Sequence, residues 1–409
     1  MSIFDGFLSS PESLDAFSDG AFVAAMLRFE AALARAQAAE GLIPDAAAAT
    51  IRKCCDVAQF DVAGIVRDSG RAGSVAIPLV KALREKVAAA DAEAAPFVNF
   101  VHYGSTSQDV IDTATSLVTR DVIALIEVDL ARAAAALLDH AVRYATTPML
   151  ARTLMQPASV TSFGFKCAGW AAPLVRSAER LHETARHALQ VQLGGAVGTL
   201  AQMCGRGAAV RARLAADLGL ADPGATWHTQ RDEWVALGCE LGLVAGSLGK
   251  IGLDIGLLGQ YEVGEVGEPS EAGRGGSSAM PHKRNPVASM VAVAAAHRAP
   301  QRVAAMLAAM PQQHERALGA WQAELAEWPQ LALSAHGSAR ALATALPGLR
   351  IDAPRMRANI DRLRAELPAS AADEWFDPAL AAHAGGIARA DVARLRGHLD
   401  RLTHQDPSA

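Results

Sequence analysis

Between Thr113 and Thr147 the chain reads TATSLVTRDVIALIEVDLARAAAALLDHAVRYATT, with neither glycine nor proline. Apolar side chains recur there at three- and four-residue steps (Leu117, Val118, Val122, Leu125, Ile126, Leu130). That spacing lines one face of an α-helix. It predicts a single helix about 50 Å long, at about 1.5 Å per residue. A second proline-free run extends from about Arg231 to Val266 and carries Gly238, Gly242 and Gly246, then Gly252 and Gly256, at four-residue steps. In a membrane such spacing marks helix pairing. Here Glu240, Lys250 and Asp254 interrupt the apolar run, so the glycines predict close helix–helix approach inside a bundle rather than a membrane span. Further helices are expected over Met155–Gln192, Val287–Ala299, Gln301–Met310 and Gln312–Leu346, the last bent at Pro329. Shorter ones, among them Phe22–Glu40 and Ala76–Ala92, fill the first hundred residues. No stretch alternates with period two between hairpin turns. The expected fold class is all-α, in three parts: an N-terminal helical domain (1–103), a central bundle of very long helices (104–346) and a small C-terminal helical domain (347–409). The last boundary is placed at LPGLRIDAP. Helices this long in one chain pack partly against other copies, which predicts a homo-oligomer.

Composition narrows the function. The chain has 409 residues, half of them apolar, enough for well-buried cores. A net charge of −5 lacks the basic surplus of a nucleic-acid binder. The start, MSIFDGFLSSPESLD, lacks the cationic and apolar pattern of a secretory signal. Cys54, Cys55, Cys167, Cys204 and Cys239 form no CxxC pair and no Cys/His metal spacing, which fits free thiols in a reducing cytosol. A soluble cytoplasmic protein without metal, nucleic acid or membrane partner is expected.

Three polar segments interrupt the helices. In the first, VHYGSTSQDVIDTA (101–114), Thr106, Ser107 and Gln108 sit where hydroxyl, amide and backbone N–H groups meet a helix N-terminus, which suits an anion. Taken alone, the segment is better explained as a plain N-cap, and His102 alone carries no assignment. In the second, ARTLMQPASVTSFGFKCAGW (151–170), Arg152, Thr153 and Gln156 precede the expected helix; a simple helix start also explains them. The third, GRGGSSAMPHKRNP (273–286), joins Gly275 and Gly276 to Ser277 and Ser278, then to Lys283 and Asn285 between two prolines. Its glycines open backbone conformations closed to other residues, and Lys283 and Asn285 supply a cation and an amide for a carboxylate. HExxH, P-loop, GxGxxG and GxSxG patterns are absent, and GGAVGT (194–199) supports no more than a tight turn exposing backbone N–H groups.

With these segments the chain resembles the fumarase/aspartase superfamily, whose loop signature GSSxMPxKxN is matched at every fixed position by GSSAMPHKRN (276–285). The similarity runs from FSDGAFVAAMLRFEAALARAQAAEGLIP (17–44) to about Leu346. Within the superfamily it is most similar to the bacterial cycloisomerase subgroup acting on 3-carboxy-cis,cis-muconate, as WHTQRDEWVAL (227–237) also suggests. Where many lyases of the superfamily carry histidine after the threonine of the second segment, this chain has Leu154.

The resemblance implies a homotetramer, active sites shared between subunits, a small tricarboxylate substrate and no cofactor. It implies closure of 3-carboxy-cis,cis-muconate to 4-carboxymuconolactone through an aci-carboxylate, the alternative being a lyase that releases fumarate from a succinyl adduct such as adenylosuccinate. It implies Ser277 as the proton-transfer group, with Lys283 and Asn285 holding the aci-carboxylate and Thr106, Ser107 and Gln156 orienting the other carboxylates. His102 is a candidate second acid/base or carboxylate ligand, and Arg231 and Arg316 are expected to add positive charge.

Overall fold

The computed structural model describes residues 3–90, 92–271, 273–276, 280 and 282–404. The chain opens with α1 (Ile3–Gly6), α2 (Pro11–Ala16), α3 (Asp19–Ala39), α4 (Asp45–Cys54), α5 (Val62–Ala72) and α6 (Ala76–Ala90). Short polar side chains set several starts: Ser10, Ser18 and Asp61 each accept the backbone N–H three residues on. The alanine-rich α3 buries Met26, Leu27, Phe29 and Leu33 in a core shared with Leu79 and Leu83 of α6.

The long helix is α7 (Ser107–Arg143), with 37 residues. It begins at Ser107 rather than Thr113, because the Asp109 carboxylate accepts the Thr106 N–H at 3.0 Å and closes the first turn. It stops before Thr147 because the chain turns into a β-hairpin, β1 (Pro148–Thr153) and β2 (Gln156–Ser162), with a register irregularity at Ala151/Arg152. The helix expected from Met155 is therefore α8 (Phe163–Ala188), capped by Ser162. The hairpin's two-residue turn places Leu154 at φ 49° and Met155 at φ 66°. Both are left-handed, as a type I′ turn requires and as Asn-Gly usually signals. Leu-Met carries no such signal, so the hairpin was illegible from sequence.

After α9 (Gly207–Leu218), which packs on α3, the bundle continues with α10 (Asp232–Leu258), α11 (Val287–Ala309) and α12 (Ala320–Ala345). Helix α11 runs through Pro300 as one helix instead of two. Helix α12 starts at Ala320, not Gln312, since His314 (φ 49°) and Gly319 (φ 95°) break the preceding chain, and it contains Pro329. Leu137 of α7, Leu174 of α8, Leu241 and Leu248 of α10 and Trp328 of α12 meet in one fully buried core. Among the described residues α10 is the one helix long and apolar enough to cross a membrane, and half of that stretch is buried against its neighbours.

The expected close approach is made by Gly242 and Gly252 of the glycine row and by Gly249, which stands outside it. A Cβ on Gly242 would lie 2.7 Å from Val303 and one on Gly249 2.2 Å from Ala296, both on α11, whereas Gly246 and Gly256 face open space. Gly249→Ala is expected to lower the urea midpoint. The gain in helix propensity is about 1 kcal/mol, and overpacking against Ala296 costs about 1–3 kcal/mol. A raised midpoint would mean the two helices separate without cost.

β3 (Val266–Gly267) pairs antiparallel with β4 (Arg350–Ile351), which leads into α13 (Ala353–Glu366), α14 (Ala369–Trp375) and α15 (Leu380–His404). α15 lies along α7 and α8 and sends Ala388, Val392, Leu395 and Leu399 into the bundle core.

Candidate active site

The first polar segment is organised by a buried carboxylate. Asp109 Oδ2 accepts the N–H groups of Thr106 (3.0 Å) and Gly195 (2.9 Å) and the Ser105 hydroxyl (3.3 Å). Its Oδ1 accepts the Gly194 N–H at 3.0 Å and His228 Nε2 at 2.7 Å. The first two N–H groups of the GGAVGT turn are thus spent on an internal anion. Glycine is required at 195, where φ is +68° and a Cβ would press on the Gly104 carbonyl at 2.7 Å. His228 is nearly fully buried, and its Nδ1 lies 3.0 Å from the Thr226 hydroxyl, which donates to Gln192.

Gln108 is turned inward instead of being presented. Its amide N–H groups go to Asp112 Oδ2 (3.0 Å) and the His228 carbonyl (2.9 Å), and its oxygen accepts from Arg316 at 3.2 Å. Thr106 and Ser107 remain half-buried at the mouth of α7. Arg316 also donates to the carbonyls of Gly195 and Ala196, so its hydrogen-bonded partners carry no opposing charge.

Arg231 corrects its expected role as a substrate cation. It is buried, donates to Asp112 at 2.9 Å, pairs with Glu324 and lies 4.4 Å from the Trp227 ring centroid. Its charge is neutralised inside the bundle, tying α7, α10 and α12 together. Burial first, and the Asp112 charge after it, hold the Glu324 carboxyl above the ordinary range against the pull of Arg231.

His102 stands at φ 61°, left-handed for a non-glycine residue, with Nδ1 2.6 Å from Glu30 Oε1. Burial alone would lower its pKa; the Glu30 charge and hydrogen bond outweigh it, and the imidazole is raised above its ordinary value. The fold therefore favours imidazolium. That contribution is complete below about pH 6.5 and is lost as pH rises through the raised value.

The second segment projects from the bundle. Gln156 pairs with Thr153 beside the exposed turn, where Leu154 is 97% exposed. Arg152 is a strut: it donates to both oxygens of buried Glu265, at 2.8 and 3.0 Å, and Asn359 of α13 donates to the same carboxylate.

In the third segment, Ser277 lies outside the described residues. The base of its loop is closed by the Asn285 N–H donating to the Gly275 carbonyl at 2.7 Å and by a bridge between Gly276 and Arg284. Gly275 (φ +70°) admits no Cβ, which would come within 2.5 Å of the Asn285 carbonyl. Lys283 and Asn285 line a cavity of about 610 Å³ together with Arg274, His282, Arg284 and Arg350. The acid on its wall, Glu268, is engaged by the Ala288 and Ser289 N–H groups at the start of α11.

One chain thus brings together His102, Thr106, Ser107 and Arg316 around the start of α7, and Lys283 with Asn285 at the cavity, while Gln156 stands on the hairpin. None of His102, Thr106, Ser107, Gln156, Arg231 or Arg316 lines that cavity. Sequence reasoning missed Glu30, Asp109, Asp112, His228 and Glu324. Asp109 and Asp112 had a visible cue, two acids three residues apart at a helix start; Glu30 and Glu324 had none.

A family profile described as Lyase matches residues 9–300. A 3-carboxy-cis,cis-muconate cycloisomerase of Pseudomonas aeruginosa is 48% identical over 358 residues, covering 88% of this chain and 77% of the relative. A nitrosuccinate lyase of Streptomyces davaonensis is 44% identical over 354 residues, 85% of this chain and 74% of the relative. The crystal structure of the 3-carboxy-cis,cis-muconate lactonizing enzyme from Pseudomonas putida superposes with a TM-score of 0.87 at 37% identity, covering 98% of this chain and 99% of that one.

Proposed function

The chain belongs to the lyase family, within the fumarase/aspartase superfamily, and on that premise we propose that it is a cycloisomerase closing 3-carboxy-cis,cis-muconate to 4-carboxymuconolactone. The observation that carries the reading is the cavity in which Lys283 and Asn285 of the signature meet Arg274, Arg284 and Arg350. That density of cations suits a small substrate with three carboxylates. The relatives named above support the same choice, and so does Leu154 in the position where many lyases of the superfamily keep histidine.

In the reaction one substrate carboxylate attacks the conjugated double bond and forms the C–O bond of the lactone. The π electrons move to the carbon beside another carboxylate, making an aci-carboxylate, and a proton then adds to that carbon. Lys283 and Asn285 are the fixed donors for the developing charge, which in a closed site supplies the largest stabilisation. Thr106, Ser107 and Gln156 orient the remaining carboxylates, Arg316 adds positive charge, and Ser277 delivers the proton, regaining one from solvent. No group leaves, so Leu154 costs the reaction nothing.

The separation of the three segments within one chain supports sites completed by neighbouring copies. The outward faces of α10 and α11 support the same assembly, with Leu243, Leu253, Met290 and Leu307 half-exposed or more and Gly246 and Gly256 open to close helix approach. A tetramer is expected by sedimentation.

The deciding assay follows the loss of diene absorbance when purified protein meets 3-carboxy-cis,cis-muconate, run beside adenylosuccinate. Lactone formation is expected. Fumarate release without lactone would favour the lyase reading, which the nitrosuccinate lyase relative keeps in view. Lys283→Ala should raise KM and lower kcat together by at least about tenfold, since a charge-assisted contact contributes about 1.5–3 kcal/mol. An unchanged KM would remove Lys283 from the carboxylate.

A further inference from the structure

We propose that Glu30 is a positioning residue that holds the His102 ring in one orientation, as a charged ligand for a substrate carboxylate. The inference rests on the function proposed above, in which the first segment meets substrate carboxylates.

The geometry is built for a pair. Glu30 lies in the middle of α3, its side chain 1% exposed and its Oε1 2.6 Å from His102 Nδ1. Its other oxygen has no hydrogen-bond partner among the described residues. A buried carboxylate left half-satisfied costs stability unless its charge has a purpose. Two turns further along the same face, Gln37 donates to the Tyr103 carbonyl at 2.6 Å, so α3 grips two successive residues of the segment. By these grips His102 is kept left-handed, a conformation that in a non-glycine residue persists only where the surroundings impose it.

With Nδ1–H committed to Glu30, the ring's other nitrogen, Nε2, is left to carry the proton toward a ligand. The charged groups acting on the ring are Glu30 from α3, Arg84 from α6 and Asp109 from α7; the two acids favour the imidazolium and Arg84 opposes it. Beside Glu30, Cys55 has its thiol pushed up, by burial first and then by the Glu30 charge, so it supplies no competing anion. The pair sits in the first segment of a chain whose second segment offers Leu154 where the lyases offer histidine. A carboxylate-backed imidazolium beside Thr106 and Ser107 gives the first segment a cation that neither hydroxyl supplies.

The test compares Glu30→Gln, which keeps the shape and removes the charge, with Glu30→Asp and the parent. In the parent, KM for 3-carboxy-cis,cis-muconate is expected to climb once His102 loses its proton. In Glu30→Gln that climb should begin at least about one pH unit lower, the effect of losing one nearby opposite charge. KM at pH 8 should rise about tenfold while kcat changes less than threefold, and Glu30→Asp should restore part of the shift. Placing Glu30→Gln on His102→Gln should add no further loss of binding. Superimposable pH profiles with a lowered melting temperature would overturn the proposal and leave Glu30 a structural strut. A second readout separates this failure from failure of the function itself: the His102 ring titration by NMR, assigned with His102→Gln, and the pH dependence of binding of the inert tricarboxylate tricarballylate. Both should shift with Glu30→Gln even if no muconate turns over. A titration unmoved by Glu30→Gln, or by Glu30→Asp where the glutamine chain does not fold, sinks the inference.

Discussion

Ser277→Ala is expected to lower kcat by about three orders of magnitude while leaving substrate binding within a few fold. Proton transfer from a positioned side chain contributes about 10²–10⁴ to rate, and lactone closure needs one such transfer, to carbon. A thousandfold loss corresponds to about 4 kcal/mol of barrier. Binding should survive because the cations stand elsewhere: Lys283, Arg274, Arg284 and Arg350 line the cavity, and Arg316 stands at the start of α7. The check is a pair of measurements, diene absorbance under saturating substrate for kcat and calorimetry for affinity. Activity within tenfold of the parent would move the proton donor to another group, such as His102.

Arg231→Met should lower stability by about 3–5 kcal/mol, the usual cost of removing one partner from a buried ionic cluster. The guanidinium is sealed between Asp112 and Glu324, so its removal leaves two carboxyls facing each other without a cation. Glu324, already above the ordinary range, would take up a proton, which recovers part of the cost and makes the loss shrink as pH falls. Urea denaturation across pH reads both the magnitude and its slope. If Arg231 bound substrate, as its sequence position first suggested, the variant would show a raised KM and unchanged stability.

These outcomes bear on what the sequence could say. The all-α class and the longest helices were legible, because freedom from glycine and proline together with 3.6-residue periodicity are local properties. Helix ends were less so. The start of α7 depends on a side-chain cap from Asp109, and the single span of α11 on the tolerance of a packed helix for Pro300. The hairpin was hidden because Leu154 and Met155 are held left-handed by the strands around them and not by their own preference. The three polar segments could be found as departures from packing logic, yet what each residue touches could not. Gln108 reads as a presented amide and is turned inward; Arg231 reads as a free cation and is neutralised. Partners such as Glu30 and Glu324 lie 72 and 93 residues from the groups they serve. No local pattern records contacts at that range.

The strut from Arg152 to Glu265 also fixes a parity. Successive residues of a strand point to opposite faces, and the two-residue turn joins β1 to β2 with no slack. Gln156 is therefore aimed by a count: its face follows from the number of residues between it and an anchored arginine. A tip lengthened or shortened by one residue would leave the strut in place and turn Gln156 to the other side, with the misfit passed on toward buried Val160 and the Ser162 cap of α8. The reach of the second segment is held by arithmetic along the backbone, and it tolerates changes of residue type at the tip far better than changes of length.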